Sequence, residues 1–431
     1  MKIKNIRQNK KFFILLRIKI NLFFHYLPHV FKKRLSFKHF VLVIKRINVL
    51  LKSIKGNKFY KIGKKLSIDN NIPFYGSELF YKYMDRFLNF ESKLSCSSVL
   101  LSITKDCSFN CKHCYQKHDN GEDLDISLLE ETIPELINHG VTTFRIEGGD
   151  PFIKFDRLYS LCKKIGHNGE VIINSSGDGV TLDRLKKIKS CCNLKSVTFS
   201  INSPIVDDVN FFMGQDYAWN TIKHGLKLAN LASVPSSLNC CLHSGHYENG
   251  NFEYLMEIAK ELAVSHVMLI HPKAAGAWLQ GQFPEFNKDE INSVKILVKK
   301  FNKNRKYYKY PAITAQVIEE DEEHFGCAGG GSERFYINAK GDVQPCEFLN
   351  ISFGNINNEK FTDIFERMRK EFKTPGTSWL CEIYSEKVFS FFQKDYNLPL
   401  DLETSKLLYE KWSRGDATPL YYKIENELVI K

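Results

Sequence analysis

The first 65 residues of this 431-residue chain contain no aspartate and no glutamate, against 19 lysines and arginines. The rest carries 42 basic and 49 acidic groups, so the formal charge of +12 belongs to one arm and not to the body of the protein. That asymmetry argues against a broadly basic surface of the kind that follows nucleic-acid phosphates. Also missing is any run of about 18 uncharged apolar residues, because Arg17, Lys19 and His25 break the best candidate, and no transmembrane span is expected. The apolar stretch after Lys11 stops at Arg17 with no small-residue cleavage site behind it, so no secretory leader is expected either. Twelve cysteines without a leader point to a reducing compartment, the cytoplasm, where clustered thiols bind metal rather than pair as disulfides.

The paired Cys-x-x-Cys pattern of structural zinc is absent as well. Instead, Cys107-Ser-Phe-Asn-Cys111-Lys-His-Cys114-Tyr115 places three thiols within eight residues, spaced by three residues and then by two. Structural zinc takes four ligands and is closed off, so a zinc knuckle is the plain alternative here. A four-iron four-sulfur (4Fe-4S) cluster normally takes four thiolates, and a loop offering three leaves one iron open to a small molecule. Six further cysteines, Cys96, Cys162, Cys191, Cys192, Cys240 and Cys241, lack ligand-like spacing and read as small buried hydrophobes.

The cysteine loop resembles that of the radical S-adenosylmethionine (SAM) superfamily. The resemblance implies that SAM chelates the open iron and that one electron, from a flavodoxin- or ferredoxin-type donor, cleaves its sulfonium. The products are methionine and a 5′-deoxyadenosyl radical, which abstracts hydrogen from a substrate. The cofactor carries the chemistry and the protein positions it.

From Ser98 the chain alternates strand-like runs with amphipathic helices, the pattern of a parallel sheet wrapped by helices. Strands are expected at Val99–Thr104, Thr142–Ile146, Glu170–Asn174, Lys195–Ser200, Ser236–Leu242 and His266–Ile270, with five helices between them. The family uses six such units as a partial (βα)6 barrel, with active residues at the carboxyl ends of its strands. The fold class is therefore α/β. A helical arm and lead-in are expected at 1–95, the barrel at 96–310, a small α+β auxiliary domain at 311–382, and a helical tail at 383–431.

The motifs fall at those strand ends. Glu147-Gly148-Gly149-Asp150-Pro151 follows the second strand and resembles the family's Gly-Gly-Glu-Pro element, with Asp150 where Glu is usual. The resemblance implies SAM contacts from Gly148, Gly149 and Asp150, from Asn174 and Ser175 after the third strand, and from Ser200 and Asn202 after the fourth. Ile270 at the sixth strand and Tyr115 beside the cluster would hold the adenine. His271, Lys273 and Trp278 follow toward the substrate mouth.

Beyond the barrel, an alternating stretch from Arg334 to Asn338, a Lys340-Gly341 turn and Val343 suggest a β-hairpin. The hairpin would bring Cys327 and Cys346 together, with Cys381 as a third thiol. This segment resembles the SPASM and shorter twitch extensions of radical SAM enzymes. Three cysteines imply a twitch-like domain with a second 4Fe-4S cluster, its fourth position open or taken by Glu347 or His324. The acidic run Glu319–Glu323 reads as a solvated segment.

The arm combines basic residues with two apolar sets between Lys10 and Ile54, the second (Phe37, Phe40, Ile44, Ile47, Leu51, Ile54) at helical spacing. It suits an anionic membrane surface contacted through residues 10–54, nucleic-acid phosphates less well, or simple packing on the catalytic domain. The first option makes the protein peripheral on the inner face of the membrane. The arm has no evident β-hairpin pattern. The resemblance favours modification of a ribosomally made peptide or protein, with small-molecule or lipid modification at the membrane as one alternative. An iron-sulfur scaffold or redox sensor without turnover is another.

Overall fold

The computed structural model describes residues 3–90, 95–279, 281 and 283–425. The chain opens with β1 (Ile3–Asn5), α1 (Gln8–Phe31), α2 (Phe37–Ser53), β2 (Tyr60–Ile62), β3 (Lys65–Ser67) and α3 (Glu78–Asp85). These form a small α+β unit in which the three strands pair antiparallel in the order β1-β2-β3. Ile18, Leu22 and Tyr26 of α1 meet Phe40, Ile47 and Leu51 of α2 and Phe80 of α3 in one core. The regular apolar face of α2 is thus spent on the protein's own interior, apart from exposed Phe37 at its start. The β2–β3 hairpin corrects the expectation of an arm without one: three-residue strands are too short for alternation to show in sequence.

The barrel follows. Its parallel strands are β4 (Ser98–Ser102), β5 (Thr143–Glu147), β6 (Glu170–Ser175), β7 (Asn193–Ser200), β8 (Ser236–Cys241), β9 (His266–Ile270) and β10 (Ala312–Ala315). The helices are α4 (Ile126–Asn138), α5 (Phe155–Ile165), α6 (Leu182–Cys191), α7 (Val206–Met213), α8 (Ala218–Leu231), α9 (Asn251–Glu261) and α10 (Lys288–Lys303). Local chemistry sets their starts. Asp125 caps α4 by accepting from Ser127 N at 2.9 Å, and Asn287 with Glu290 forms a capping box on α10.

Six parallel strands were expected and a seventh is present, because β10 is only four residues long and follows the aromatic passage Tyr307–Pro311. It falls in the stretch assigned to the auxiliary domain. On the other edge β11 (Arg334–Ile337) pairs parallel with β4, and β12 (Val343–Gln344) pairs antiparallel with β11. The predicted hairpin exists, but its first strand extends the barrel sheet to the order β10-β9-β8-β7-β6-β5-β4-β11-β12. The acidic run is also not simply solvated. Glu320 is buried and pairs with Arg334 at 2.6 Å, and Glu319 faces the lumen, while Glu322 and Glu323 are exposed.

The N-terminal unit covers the amino ends of the barrel strands through buried polar contacts. Lys58 donates to the carbonyls of Tyr307 and Tyr310, Lys195 to those of Asn70 and Ile72, and Phe74 N donates to Glu170 at 2.8 Å. Lys195 also pairs with Glu170 at 2.9 Å. Arg86, just after α3, grips Glu333 through both terminal nitrogens, at 2.5 and 2.9 Å, and the Tyr421 hydroxyl donates to the same carboxylate. The tail therefore returns to the N-terminal unit as well as packing near the cysteine loop, where His118 meets Phe392. No helix among the described residues is long and apolar enough to cross a membrane.

Two outcomes follow for stability. Arg86→Ala leaves half-buried Glu333 without its cation, and should lower the unfolding free energy by about 1–3 kcal/mol in denaturant titration. His266, buried and bonded to Thr314 at 2.9 Å, is pushed down to about 3 by desolvation, with Arg145 and Lys195 adding to the shift. An unfolded histidine titrates near 6.5, so the native state binds fewer protons below that value and loses stability as the pH falls from about 6.5 toward 3, by up to about 1.4 kcal/mol per unit. His266→Gln should flatten the fall of the thermal midpoint between pH 6.5 and 5.

Candidate active site

The loop that carries Cys107, Cys111 and Cys114 leaves β4 at the carboxyl end of the sheet and has almost no secondary structure of its own. Backbone contacts hold it instead. Gly149 N donates to Thr104 O and Asp150 N to Asp106 O, both at 2.8 Å, and Ala277 N donates to Cys114 O at 3.0 Å. On the far side Asn110 N and Lys112 N donate to the carbonyls of Met213 and Phe212. Two glycines make this approach feasible. A Cβ on Gly149 would lie 2.1 Å from Asp106 O, and one on Gly276 would lie 2.4 Å from Cys114 O.

The three thiols act on one another electrostatically. Desolvation by the surrounding loop pushes the Cys107 thiol up to about 11 although its surface is exposed, and burial raises Cys111 and Cys114. Thiols that resist ionisation in an apoprotein need a bound cation to become ligands, because it is the thiolate that coordinates metal. Among the described residues no three His, Cys, Asp or Glu side chains close on a single-ion site. A four-iron cube takes its thiolates on separate corners.

The loop opens onto a cavity of about 870 Å3 that runs down the barrel to the N-terminal unit. Tyr115, Gly148, Gly149, Asn174, Ser175, Ser200, Asn202 and Ile270 all line it. Three buried amide atoms on that wall have no protein partner, Asn174 Oδ1, Gln116 Oε1 and Asn202 Nδ2. Asn202 Oδ1 is taken by Cys241 N at 3.1 Å, and Asn174 Nδ2 donates to Glu147 at 3.2 Å. Free acceptors and a free donor on one cavity wall suit a zwitterionic ligand such as SAM, since a buried polar group without a partner costs about 1–3 kcal/mol.

Asp150 departs from its expected place. It is fully buried and off the cavity wall, where its carboxylate accepts from Phe152 N, Ser175 Oγ, Ser176 N and Ser176 Oγ. Its side chain ties the glycine turn to the end of β6, which also engages the Ser175 hydroxyl that was expected to face SAM.

Glu147 was not singled out in sequence, although it is the last residue of β5 and directly precedes the glycine pair. Its carboxylate accepts from the Tyr115 hydroxyl at 2.5 Å, and burial, helped by Glu347, pushes it up to about 7. Gln116 joins the same cluster, donating to Ser102 and to Tyr336 on β11. Lys273, expected near the mouth, is buried between Glu382 at 2.7 Å and the Trp379 ring at 2.9 Å. His271 stands by the same two residues, 5.2 Å from the Trp379 ring, and Trp278 stands 5.7 Å from His113. No local pattern joins Lys273 to residues more than a hundred positions away.

Cys327, Cys346 and Cys381 converge on a second, smaller space walled also by Gln316, Glu320 and Arg334. Burial raises all three thiols, and each interacts electrostatically with at least one of the others. Glu347 accepts from Cys346 Sγ at 3.0 Å, beside the set. His324 lines the main cavity instead. The donor set therefore fits an iron-sulfur cluster with Glu347 the nearer of the two non-cysteine candidates. Replacing Cys107, Cys111 and Cys114 together by Ala should halve the iron of reconstituted protein, from about eight to about four per chain, and so should replacing Cys327, Cys346 and Cys381. Iron assay with Mössbauer spectroscopy reads both.

Comparison with known proteins agrees with this geometry. The model of the radical SAM superfamily matches residues 101–262, and that of SPASM, an iron-sulfur cluster-binding domain, matches residues 327–385. AdoMet-dependent heme synthase from Oleidesulfovibrio alaskensis is 23% identical over 326 residues, 68% of this chain and 81% of that protein. GTP 3′,8-cyclase from Helicobacter pylori is 29% identical over 153 residues, 33% of this chain and 48% of that protein. Among solved structures, SuiB from Streptococcus suis bound to S-adenosylmethionine superposes with a TM-score of 0.53 at 14% identity, over 66% of this chain and 69% of that one, a likeness of fold. The chain belongs to the radical SAM superfamily: it is a radical SAM enzyme with a SPASM domain, whose cofactors are SAM, the 4Fe-4S cluster that binds it and an auxiliary iron-sulfur cluster.

Proposed function

We propose that this enzyme modifies a ribosomally made peptide or protein, one side chain of which enters the lumen while the rest of the substrate stays at the mouth. The observation that carries this reading is the cavity. At about 870 Å3 it falls within the range of small-molecule sites, roughly 300–1,000 Å3, so that SAM leaves space for only a portion of a large substrate. Its wall mixes Arg145, Lys273 and Arg334 with Glu147, Glu320 and Glu347 among apolar residues, which suits the amides and mixed side chains of a peptide.

When bound, SAM and the reduced cluster supply hydrogen-atom abstraction. The chain's own part is placement. The proposed cluster ligands are Cys107, Cys111 and Cys114, with Cys327, Cys346 and Cys381 at the auxiliary site. Asn174 and Asn202 offer a free acceptor and a free donor to SAM, and Glu147 holds Tyr115 in place beside it. Lys273 on the cavity wall already has its charge met by Glu382, and so serves to fix that part of the lining.

SuiB, solved with its precursor peptide SuiA, supports a peptide substrate through likeness of fold. The heme synthases of three species, matched over 81%, 86% and 88% of their lengths, favour a second reading, a heme precursor. Anaerobic enzyme with SAM and reductant should form 5′-deoxyadenosine several-fold faster with peptides encoded beside this chain than without them. Stimulation by iron porphyrins alone overturns the peptide reading. No 5′-deoxyadenosine from protein with intact clusters overturns turnover altogether.

A further inference from the structure

Helix α1 is apolar on two opposite faces, and only one of them is used by the fold. At 100° per residue, Ile18, Leu22 and Tyr26 share a sector that is entirely buried, against α2 and α3. Phe12, Phe13, Leu16, Ile20, Phe23 and Phe24 occupy a sector of about 120° on the other side. Phe12, Phe13 and Phe24 are 66%, 68% and 62% exposed, and Leu16, Ile20 and Phe23 are between 39% and 46% exposed. The stripe runs about 18 Å along the helix at 1.5 Å per residue. Phe31 and Phe37, 78% and 70% exposed, continue it around the turn into α2. Scattered surface hydrophobics need no explanation, but a contiguous aromatic stripe does.

Its surroundings indicate what covers it. Lys10 and Arg17 lie along one margin of the stripe, and exposed Lys32, Lys33, Arg34 and Lys38 crowd the turn where it ends. Residues 1–65 contribute no carboxylate to oppose them. An aromatic strip edged by cations of one sign is complementary to a surface that is apolar below and anionic above, which is what an acidic bilayer presents. A second copy of the same stripe would bring these cations together against one another, and no helix among the described residues is able to cross the membrane.

We propose that the exposed face of α1 seats this enzyme on the surface of an anionic lipid bilayer. The N-terminal unit covers the amino ends of the barrel strands, through Lys58, Phe74 and Arg86, whereas the cysteine loop leaves their carboxyl ends. The stripe is turned away from the core of that unit. The enzyme is therefore held by its N-terminal unit, which packs at the end of the barrel away from the cysteine loop.

The test is flotation of full-length, cluster-reconstituted protein with vesicles of phosphatidylglycerol and phosphatidylcholine, beside vesicles of phosphatidylcholine alone. Binding is expected to the anionic vesicles, to weaken with salt, and to drop by at least about tenfold in the double variant Phe13→Glu, Phe24→Glu. Both residues are exposed, so the variant should keep the wild-type thermal midpoint and 5′-deoxyadenosine formation. Wild-type protein that floats with neither vesicle overturns the proposal, as does a folded variant that floats like wild type. So does a wild-type dimer in sedimentation equilibrium that the variant turns into monomer, which would assign the stripe to a second copy.

Discussion

Everything chemical in this molecule depends on two backbones lying against each other with no side chain between them. The loop that carries Cys107, Cys111 and Cys114 has no helix or strand to fix it, so its geometry is borrowed from the turn after β5 and from the segment after β9. Gly149 and Gly276 are the residues that permit this, since any Cβ at either position would overlap a carbonyl oxygen of the loop. Asp150 then fastens the glycine turn to the end of β6 through four hydrogen-bond donors. Three consecutive strand ends are in this way tied to one loop, and the open side of the thiol set is left facing the lumen.

The two ends of the barrel use buried polarity differently. At the amino end charged groups are paired and closed: Lys195 with Glu170, Arg86 with Glu333, Lys58 on three carbonyls. Such groups favour one arrangement of the N-terminal unit, because each would be left buried and unmatched in any other. At the carboxyl end several groups are left partly unpaired, among them Asn174 and Asn202. The auxiliary thiols share a wall with the lumen through Gln316, Glu320, Arg334 and Phe348, so the cavity reaches from one cysteine set toward the other.

Reading the sequence recovered the elements whose signal is local. The cysteine spacing and the six principal strands each lie within a few residues of chain. Errors arose where an element was too short to show a period, as in β2, β3 and β10, or where the meaning of a residue depended on a distant partner. The acidic run Glu319–Glu323 is one case, because Arg334 converts Glu320 from a surface charge into half of a buried pair. Helix α1 is another, because its two apolar sectors are alike in sequence and only the position of α2 decides which is covered.

What the sequence determined alone is therefore the chemistry available: three thiols within eight residues, a glycine pair after the second barrel strand, a second scattered set of thiols, and a basic arm free of carboxylates. Spacing along the chain is enough for these, since ligand number and charge are composition. Tertiary structure alone decided how that chemistry is deployed. It moved Asp150 from the cavity to the scaffold, drew Lys273, Trp379 and Glu382 together, and left one face of α1 bare. The physical reason is that burial and pairing are properties of neighbours in space, and a chain that folds into a barrel brings those neighbours from two dozen to more than a hundred residues away.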